Sequence, residues 1–279
     1  MPCAISIKPF ELEVLQPTST CALMGRRGSG KTVLLNNIMY HLRSTFHCGI
    51  AMAGSAAAYD NMLQFVPNNF VFPEWREDKV QWLLDYQEKR KKEGKAVKQM
   101  FILLDDLTYD PKFLKSRTVS KLFCNGRHYN VFVILLTQYM MDIPAALRNN
   151  IDFVFAFHDS SFANKDRLYR NFFGVFETRN DFAQVFDKCT ENHSCIVLNN
   201  KKDTGISDSV SHFHASLNIP AFQLGHAMFW QTDVVKTINS GTSLKSEENQ
   251  FNEEKISDKF SITHVIKRSS NNTDEEKTV

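Results

Sequence analysis

The sequence predicts an α/β chain built on a mostly parallel central sheet with helices on both faces. Three observations predict it. Short, continuous apolar runs recur between residues 19 and 200, and runs of this kind suit strands buried on both faces. The stretches between them are longer and amphipathic, which reads as helix. One junction between the two carries Gly25-Arg26-Arg27-Gly28-Ser29-Gly30-Lys31-Thr32, a spacing that gains meaning only where a strand enters a loop and the loop opens a helix.

The expected strands, in order, are Cys21–Met24, Gly49–Ala53, Phe101–Leu104, Val131–Leu136, Phe153–Phe157 and Cys195–Leu198. Thr32–Leu42 places Leu34, Leu35, Ile38 and Leu42 on one helical face. Asp110-Pro111 reads as an N-cap with proline at the first helical position, opening a helix towards Cys124 that Asn125-Gly126 would stop. The alternating Phe153, Phe155 and Phe157 read as sheet core, and Trp75 and Trp82 as packing a helix on the sheet. The organisation is then an extension at 1–18, a core at 19–200, an appendage at 201–239 with room for one small element in Ser211–Trp230, and a tail at 240–279. That tail is Ser, Asn, Glu, Lys and Thr, too poor in apolar surface to offset ordering entropy, and is expected to be disordered.

Composition bounds the function. A chain of 279 residues that is 43% hydrophobic and 23% charged can bury a full core. The net charge of +2 gives no global basic field, so contacts to nucleic acid would come from local clusters. Six scattered cysteines without a Cys-x-x-Cys pair speak against zinc and against a disulfide framework, and fit a reducing compartment. Residues 1–10 lack the layout of a signal peptide, and the longest apolar run, Val131–Leu136, is far too short to span a bilayer, so no membrane anchor is expected.

The Gly25–Thr32 stretch is a phosphate cradle in type. Its glycines let successive amides turn inward, Lys31 would reach the β- and γ-phosphates of ATP, Thr32 would offer a hydroxyl to Mg²⁺, and Arg26, Arg27 and Ser29 complete the loop. Phe101–Leu104 runs into Asp105-Asp106. Strand C-termini of a parallel sheet gather on the ligand face, so the cradle and the acids are expected to converge across adjacent strands. Asp105 would hold Mg²⁺ through its water shell and Asp106 would polarise an attacking water. Two acids here favour hydrolysis over transfer to an acceptor. Val131–Leu136 leads to Thr137-Gln138, which places Gln138 at the same end as a candidate sensor of the γ-phosphate. Arg127 and Arg148 are both candidates for an arginine delivered to a neighbour's site, and spacing does not choose between them.

Together these residues resemble the FtsK–HerA superfamily of DNA-pumping ATPases, and within it the genome-packaging ATPases of large nucleocytoplasmic DNA viruses, the group that includes the poxvirus packaging ATPase. The resemblance covers about residues 19–200. It rests on Gly25–Thr32, Leu103–Asp106, Gly126–Val131 through Gln138, Ile143–Asn149, Phe65–Phe70 and Cys195–Asn200. It implies a RecA-like core and an oligomeric ring, commonly a hexamer. It also implies ATP-driven import of double-stranded DNA into a capsid, a trans arginine at Arg127 and a sensor at Gln138. It further implies a capsid or membrane partner at the packaging site, and residence in the host cytoplasm at the viral factory and in the virion. Many such relatives carry Glu as the second acid, where this sequence has Asp106.

Two basic clusters stand out: Lys89-Arg90-Lys91-Lys92 with Lys95 and Lys98, and Lys112, Lys115, Arg117 and Lys121. Either could contact DNA phosphates or be a solvated helix face. His212, His214 and His226 lack carboxylate or cysteine partners at ligand spacing and read as ordinary histidines. Competing functions are another FtsK–HerA-type DNA pump, a P-loop nucleotide kinase, and a nucleotide-controlled assembly protein.

Overall fold

Each apolar run becomes a buried strand, and the sheet contains more strands than the runs foretell. The computed structural model describes residues 6–138, 143–202 and 205–231; the predicted tail at 240–279 lies outside them. The strands are β1 (Lys8–Pro9), β2 (Thr20–Met24), β3 (Cys48–Ala53), β4 (Val71–Phe72), β5 (Met100–Asp105), β6 (Val131–Thr137), β7 (Phe153–Phe157), β8 (Cys195–Asn199) and β9 (Val210–Phe213). The helices are α1 (Lys31–His41), α2 (Ala56–Leu63), α3 (Glu77–Lys92), α4 (Pro111–Lys115), α5 (Arg117–Asn125), α6 (Ala145–Arg148), α7 (Phe162–Asn171), α8 (Arg179–Cys189) and α9 (Ile206–Ser209).

Strand order across the sheet is β1-β9-β8-β7-β2-β6-β5-β3-β4. All neighbours run parallel except β8, which is antiparallel to both β7 and β9. Right-handed crossovers place the connections that advance towards β4 (α1, α2) on one face and those that return (α3, α5, α6) on the other. The packing of α5 against both α3 and α6 agrees with that division. Burial follows: Met100–Leu104 and Val131–Leu136 are fully covered, as strands sandwiched between helix layers must be.

Two expectations about connectivity need correction. The cradle strand β2 and the acid strand β5 are not adjacent, because β6 lies between them and pairs with both. The strand at Cys195 does not continue the parallel set but returns antiparallel. The register still brings the important ends level, since Met24 pairs with Thr137 and Asp105 with Leu136.

The helix expected from Asp110 to Cys124 is two helices. Asp110 does cap the first, accepting from Lys112 N at 2.8 Å, with Pro111 in the first turn. At Ser116 the backbone is extended (ψ 132°), and the Ser116 hydroxyl accepts from the amides of Thr118 and Val119, starting α5 anew. Gly126 does not end the helix in a left-handed turn. It stays right-handed (φ −51°) and opens one 3₁₀ turn, and Asn130 (φ +51°) supplies the left-handed stop.

The three alternating phenylalanines are all core, because β7 is covered on both faces. Phe10 stands edge-on to Phe153 and Phe155 at 5.8 and 5.4 Å, which fastens the segment before β2 to the sheet beside β1 and β9. Trp75 packs edge-on against Phe113 of α4 at 5.0 Å, and Trp82 stacks on Tyr86 within α3.

Candidate functional site

The loop after β2 is shaped by what its glycines leave room for. Gly28 and Gly30 adopt positive φ (+77° and +114°), which an L side chain rarely tolerates. A Cβ on Gly25 would lie 2.8 Å from Phe157 Cβ, and one on Gly30 would lie 3.1 Å from the Phe157 ring, so β7 packs directly beneath the loop. Gly25 N donates to Thr137 O at 3.2 Å, tying loop to sensor strand. Gly30 is the N-cap of α1 and offers no side chain to its first turn, so those amides stay open to an anion. Lys31 Nζ folds back to donate to Gly25 O (2.5 Å) and Arg26 O (2.9 Å). Ser29 Oγ is buried without a hydrogen-bond partner among the described residues. Arg26 is held by Asp159 at 2.8 Å, while Arg27, Gly28 and Thr32 face solvent.

The acids stand at the same end. Asp105 closes β5 and is buried, and its carboxylate accepts no hydrogen bond from the described residues. Asp106 takes a left-handed backbone (φ +54°), a conformation that short Asp and Asn bear better than longer side chains. That gives a physical reason for Asp rather than Glu at this position. Gly54, just past β3, permits the turn: its amide donates to Asp105 O at 2.9 Å, and a Cβ there would come within 2.1 Å of Asp106 O. Gln138 Nε2 donates to Asp106 Oδ1 at 3.2 Å, so the sensor strand and second acid are in contact. Thr137 and Thr108 hydroxyls meet at 3.5 Å beside them.

The charges of cradle and acids are coupled. Burial lowers the Lys31 ammonium, and Asp105 and Asp106 partly restore it. Burial pushes the Asp105 carboxyl up from its ordinary 3.8 to about 6; Lys31 opposes the rise and Asp106 adds to it. The folded protein therefore keeps this proton to about pH 6 while the unfolded chain releases it near 3.8. The folded state binds more protons between those values, so stability falls as pH rises through them and stays lower above. Without metal, Asp105→Asn is expected to raise the thermal midpoint by several degrees at pH 8, on the order of 3 kcal/mol, and to change little at pH 4. Melting curves at the two pH values check this; a variant less stable than the parent at pH 8 contradicts it.

Asp105 and Thr32 are hard oxygen donors, and the Asp105 carboxylate is left to accept a cation. No group of three His, Cys, Asp or Glu residues that could hold a metal occurs among the described residues. One carboxylate and one hydroxyl, completed by phosphate and water oxygens, is a set that suits Mg²⁺.

The two candidate arginines sit away from this end. Arg127 is exposed on the 3₁₀ turn that precedes β6, and its guanidinium forms no hydrogen bond or ion pair with the described residues. β6 runs seven residues from there to the site end, about 23 Å at ~3.3 Å per residue. Arg148 is engaged at home, its guanidinium donating to Ile143 O at 2.8 Å.

The basic clusters also separate. In the first, Lys92 pairs with Glu88 at 2.9 Å, Lys95 with Glu93 at 3.2 Å and Lys89 with Glu93 at 3.9 Å. Arg90 is buried, donating to Ala96 O. Of the second, Lys121 approaches Asp85 and Glu88. Lys112, Lys115 and Arg117 are exposed and form no ion pair among the described residues.

Sequence reasoning missed Gly54 and a second wall of the site. Asn192, His193, His214, Ala215 and Leu217 line a cleft beside the loop. A glycine directly after a strand was a usable signal for the first; the second depends on the reversed direction of β8, which composition does not reveal.

A family model described as "Poxvirus A32 protein" matches residues 9–211. An uncharacterized protein of Acanthamoeba polyphaga mimivirus is 31% identical over 216 residues, covering 74% of this chain and 76% of its own length. An uncharacterized protein of Frog virus 3 is 27% identical over 246 residues, covering 84% and 76%. Among solved structures, the genome packaging NTPase B204 of Sulfolobus turreted icosahedral virus 2, in complex with ATP-gammaS, superposes with TM-score 0.52 at 15% identity, covering 73% of this chain and all of that one. The conjugation coupling protein TcpA of pCW3, with ATPgS, gives 0.51 at 14% identity, covering 71% and 60%. At such identities these structures share the fold, a mostly parallel P-loop NTPase sheet with helices.

Proposed function

The chain belongs to the Poxvirus A32 protein family, and from that premise we propose that it is a genome-packaging ATPase that moves double-stranded viral DNA into a capsid as a ring oligomer. The observation that carries this reading is the levelling of the loop, Asp105–Asp106 and Gln138 at one end of the sheet, with an unpartnered arginine at the other. A site complete but for an arginine, in a chain that presents one at the opposite end of its sheet, suits a ring in which each copy completes its neighbour's site.

In this mechanism the amides of the Gly25–Thr32 loop that no backbone carbonyl takes, with those of the first turn of α1, bind the phosphate chain of ATP. Lys31 leaves its two carbonyl partners for the β- and γ-phosphate oxygens, a move between acceptors within one loop. Thr32 and Asp105 would hold Mg²⁺, which would supply neutralisation of the phosphate charge. Asp106 accepts a hydrogen bond from the water that attacks the γ-phosphorus and takes its proton as the bond to the β–γ bridging oxygen breaks and ADP leaves, while Gln138, already against Asp106, senses the γ-phosphate. Arg127 of a neighbouring copy steadies the charge that develops on the transferred group. Lys112, Lys115 and Arg117, directly beyond the acid loop and without acidic partners among the described residues, track the DNA backbone. The end of α3, where Lys89 and Lys92 are engaged by Glu93 and Glu88, does not. Such contacts are weak, repeated and independent of base sequence. The partner at the packaging site is a capsid or membrane protein, at the viral factory and in the virion.

Displacement of a third strand from a DNA triplex tests the reading. The parent protein is expected to strip the third strand only when ATP is supplied. Lys31→Ala should abolish both stripping and ATP turnover. Reversing Lys112, Lys115 and Arg117 to Glu should abolish stripping while leaving DNA-free turnover in place. ATP turnover without any displacement by the parent contradicts translocation, and unchanged displacement after the charge reversal removes the assigned DNA track.

A further inference from the structure

The turn that leaves β5 touches the site on one side and solvent on the other. Inward, Asp106 accepts from Gln138 Nε2 at 3.2 Å, Leu107 is buried, and the Thr108 hydroxyl meets that of Thr137 at 3.5 Å. Outward stands Tyr109, 66% exposed, whose hydroxyl forms no hydrogen bond with the described residues. Asp110 N closes the turn by donating to Leu107 O at 3.1 Å, and the Asp110 side chain then starts α4.

Gly54 makes this turn stiff. A Cβ there would overlap Asp106 O and would lie 2.6 Å from Tyr109 Cε1. The backbone of the acid and the ring of Tyr109 therefore press on the same glycine. Asp106 also holds a left-handed conformation (φ +54°), which its surroundings must enforce. Close-packed groups transmit strain because they have no slack to absorb it, so a shift of Asp106 carries Tyr109 with it.

We infer that residues 106–110 pass the state of the γ-phosphate to the duplex, and that Tyr109 is their contact with it. The inference rests on the packaging-ATPase reading and adds to it the part that links hydrolysis to movement. Lys112, Lys115 and Arg117 begin one helical turn further on, and a duplex held on those cations brings its backbone to Tyr109. A phenol suits that surface. Its ring packs on deoxyribose, its hydroxyl donates to a phosphate oxygen, and neither contact reads a base. Its neutrality matters beside Asp106 and Asp110. A lysine in this place would be drawn to those carboxylates and away from DNA. When the γ-phosphate and the attacking water arrive, Asp106 and Gln138 exchange their mutual hydrogen bond for them, and the turn moves as a unit.

Third strands displaced per ATP hydrolysed, counted with the full chain at saturating duplex, test this. Tyr109→Ala is expected to lower that ratio about fivefold or more, and Tyr109→Phe, which keeps the ring, to stay close to the parent. Tyr109→Lys adds a cation and should nevertheless stay as low as Tyr109→Ala. Hydrogen exchange supplies a readout that a static contact would not move: the amides of 107–110 should exchange at different rates with ATP-gammaS and with ADP bound. A parental ratio for Tyr109→Ala, a ratio restored by Tyr109→Lys, or identical exchange in the two nucleotide states overturns the inference. So does loss of DNA-free turnover by both Tyr109→Ala and Tyr109→Phe, which would place the ring in hydrolysis. Loss of the oligomer by Tyr109→Ala overturns it too, since the ring would then be a subunit contact. A parent that hydrolyses ATP and displaces nothing sinks the motor reading itself. A parent that displaces strands while Tyr109→Ala keeps its ratio sinks the role of Tyr109 alone.

Discussion

An Asp106→Asn protein is expected to bind ATP with Mg²⁺ as tightly as the parent and to turn it over about 10²–10⁴ times more slowly. The substitution is unusually clean at this position. Asn tolerates the left-handed backbone that Asp106 adopts (φ +54°), and its carbonyl oxygen can still accept from Gln138 Nε2, now at 3.2 Å from the carboxylate. What is lost is the capacity to take a proton from water. Asp105→Asn should behave differently, because that residue is assigned to the cation: its loss weakens binding that depends on Mg²⁺. Equilibrium binding of a fluorescent ATP analogue beside phosphate release separates the two. Near-parental turnover by Asp106→Asn would show that Asp106 is not the proton acceptor. Loss of ATP binding would show that it is a ligand instead.

Arg127→Ala is expected to lower turnover by ~10³–10⁵, although the residue lies at the far end of its own sheet. An arginine separated from its own loop by the length of β6 cannot reach it, so the effect requires a second copy. Mixing Arg127→Ala with Lys31→Ala should then restore part of the activity. The first supplies an intact loop, the second an intact arginine, and some mixed interfaces hold both. Arg148→Ala should have a smaller effect, since Arg148 is already engaged with Ile143 O. Two inactive proteins that remain inactive when mixed would contradict a shared site, and equal losses for Arg127→Ala and Arg148→Ala would contradict the choice between them.

The parallel part of the sheet was legible because buried strands write themselves as unbroken apolar runs, and all six expected runs became strands. Short edge strands did not show: Lys8–Pro9 and Val71–Phe72 are two residues each, too brief for any period to register. The order of strands was not legible either. Nothing in Phe101–Asp105 or Cys21–Met24 states that Val131–Thr137 will sit between them, because order is settled by crossover handedness and helix packing. At the site, the gathering of Gly25–Thr32 and Asp105–Asp106 at one end of the sheet was readable, because each follows the end of a parallel strand. Gly54 showed only as a glycine after a strand, and the places of Asn192 and His193 were hidden, since they depend on neighbours far away in the chain. The basic runs looked alike as text. They differ in their pairing: Glu88 and Glu93 engage Lys89, Lys92 and Lys95, while Lys112, Lys115 and Arg117 form no ion pair among the described residues.

The central claim is that this phosphate loop and acid pair form an engine driven on DNA by a ring. ATP turnover measured with and without long duplex DNA, on material whose size is read from the same column run, tests it most directly. Oligomer-sized fractions whose turnover rises several-fold with duplex DNA are the predicted result. Turnover confined to monomer and indifferent to DNA would contradict the account.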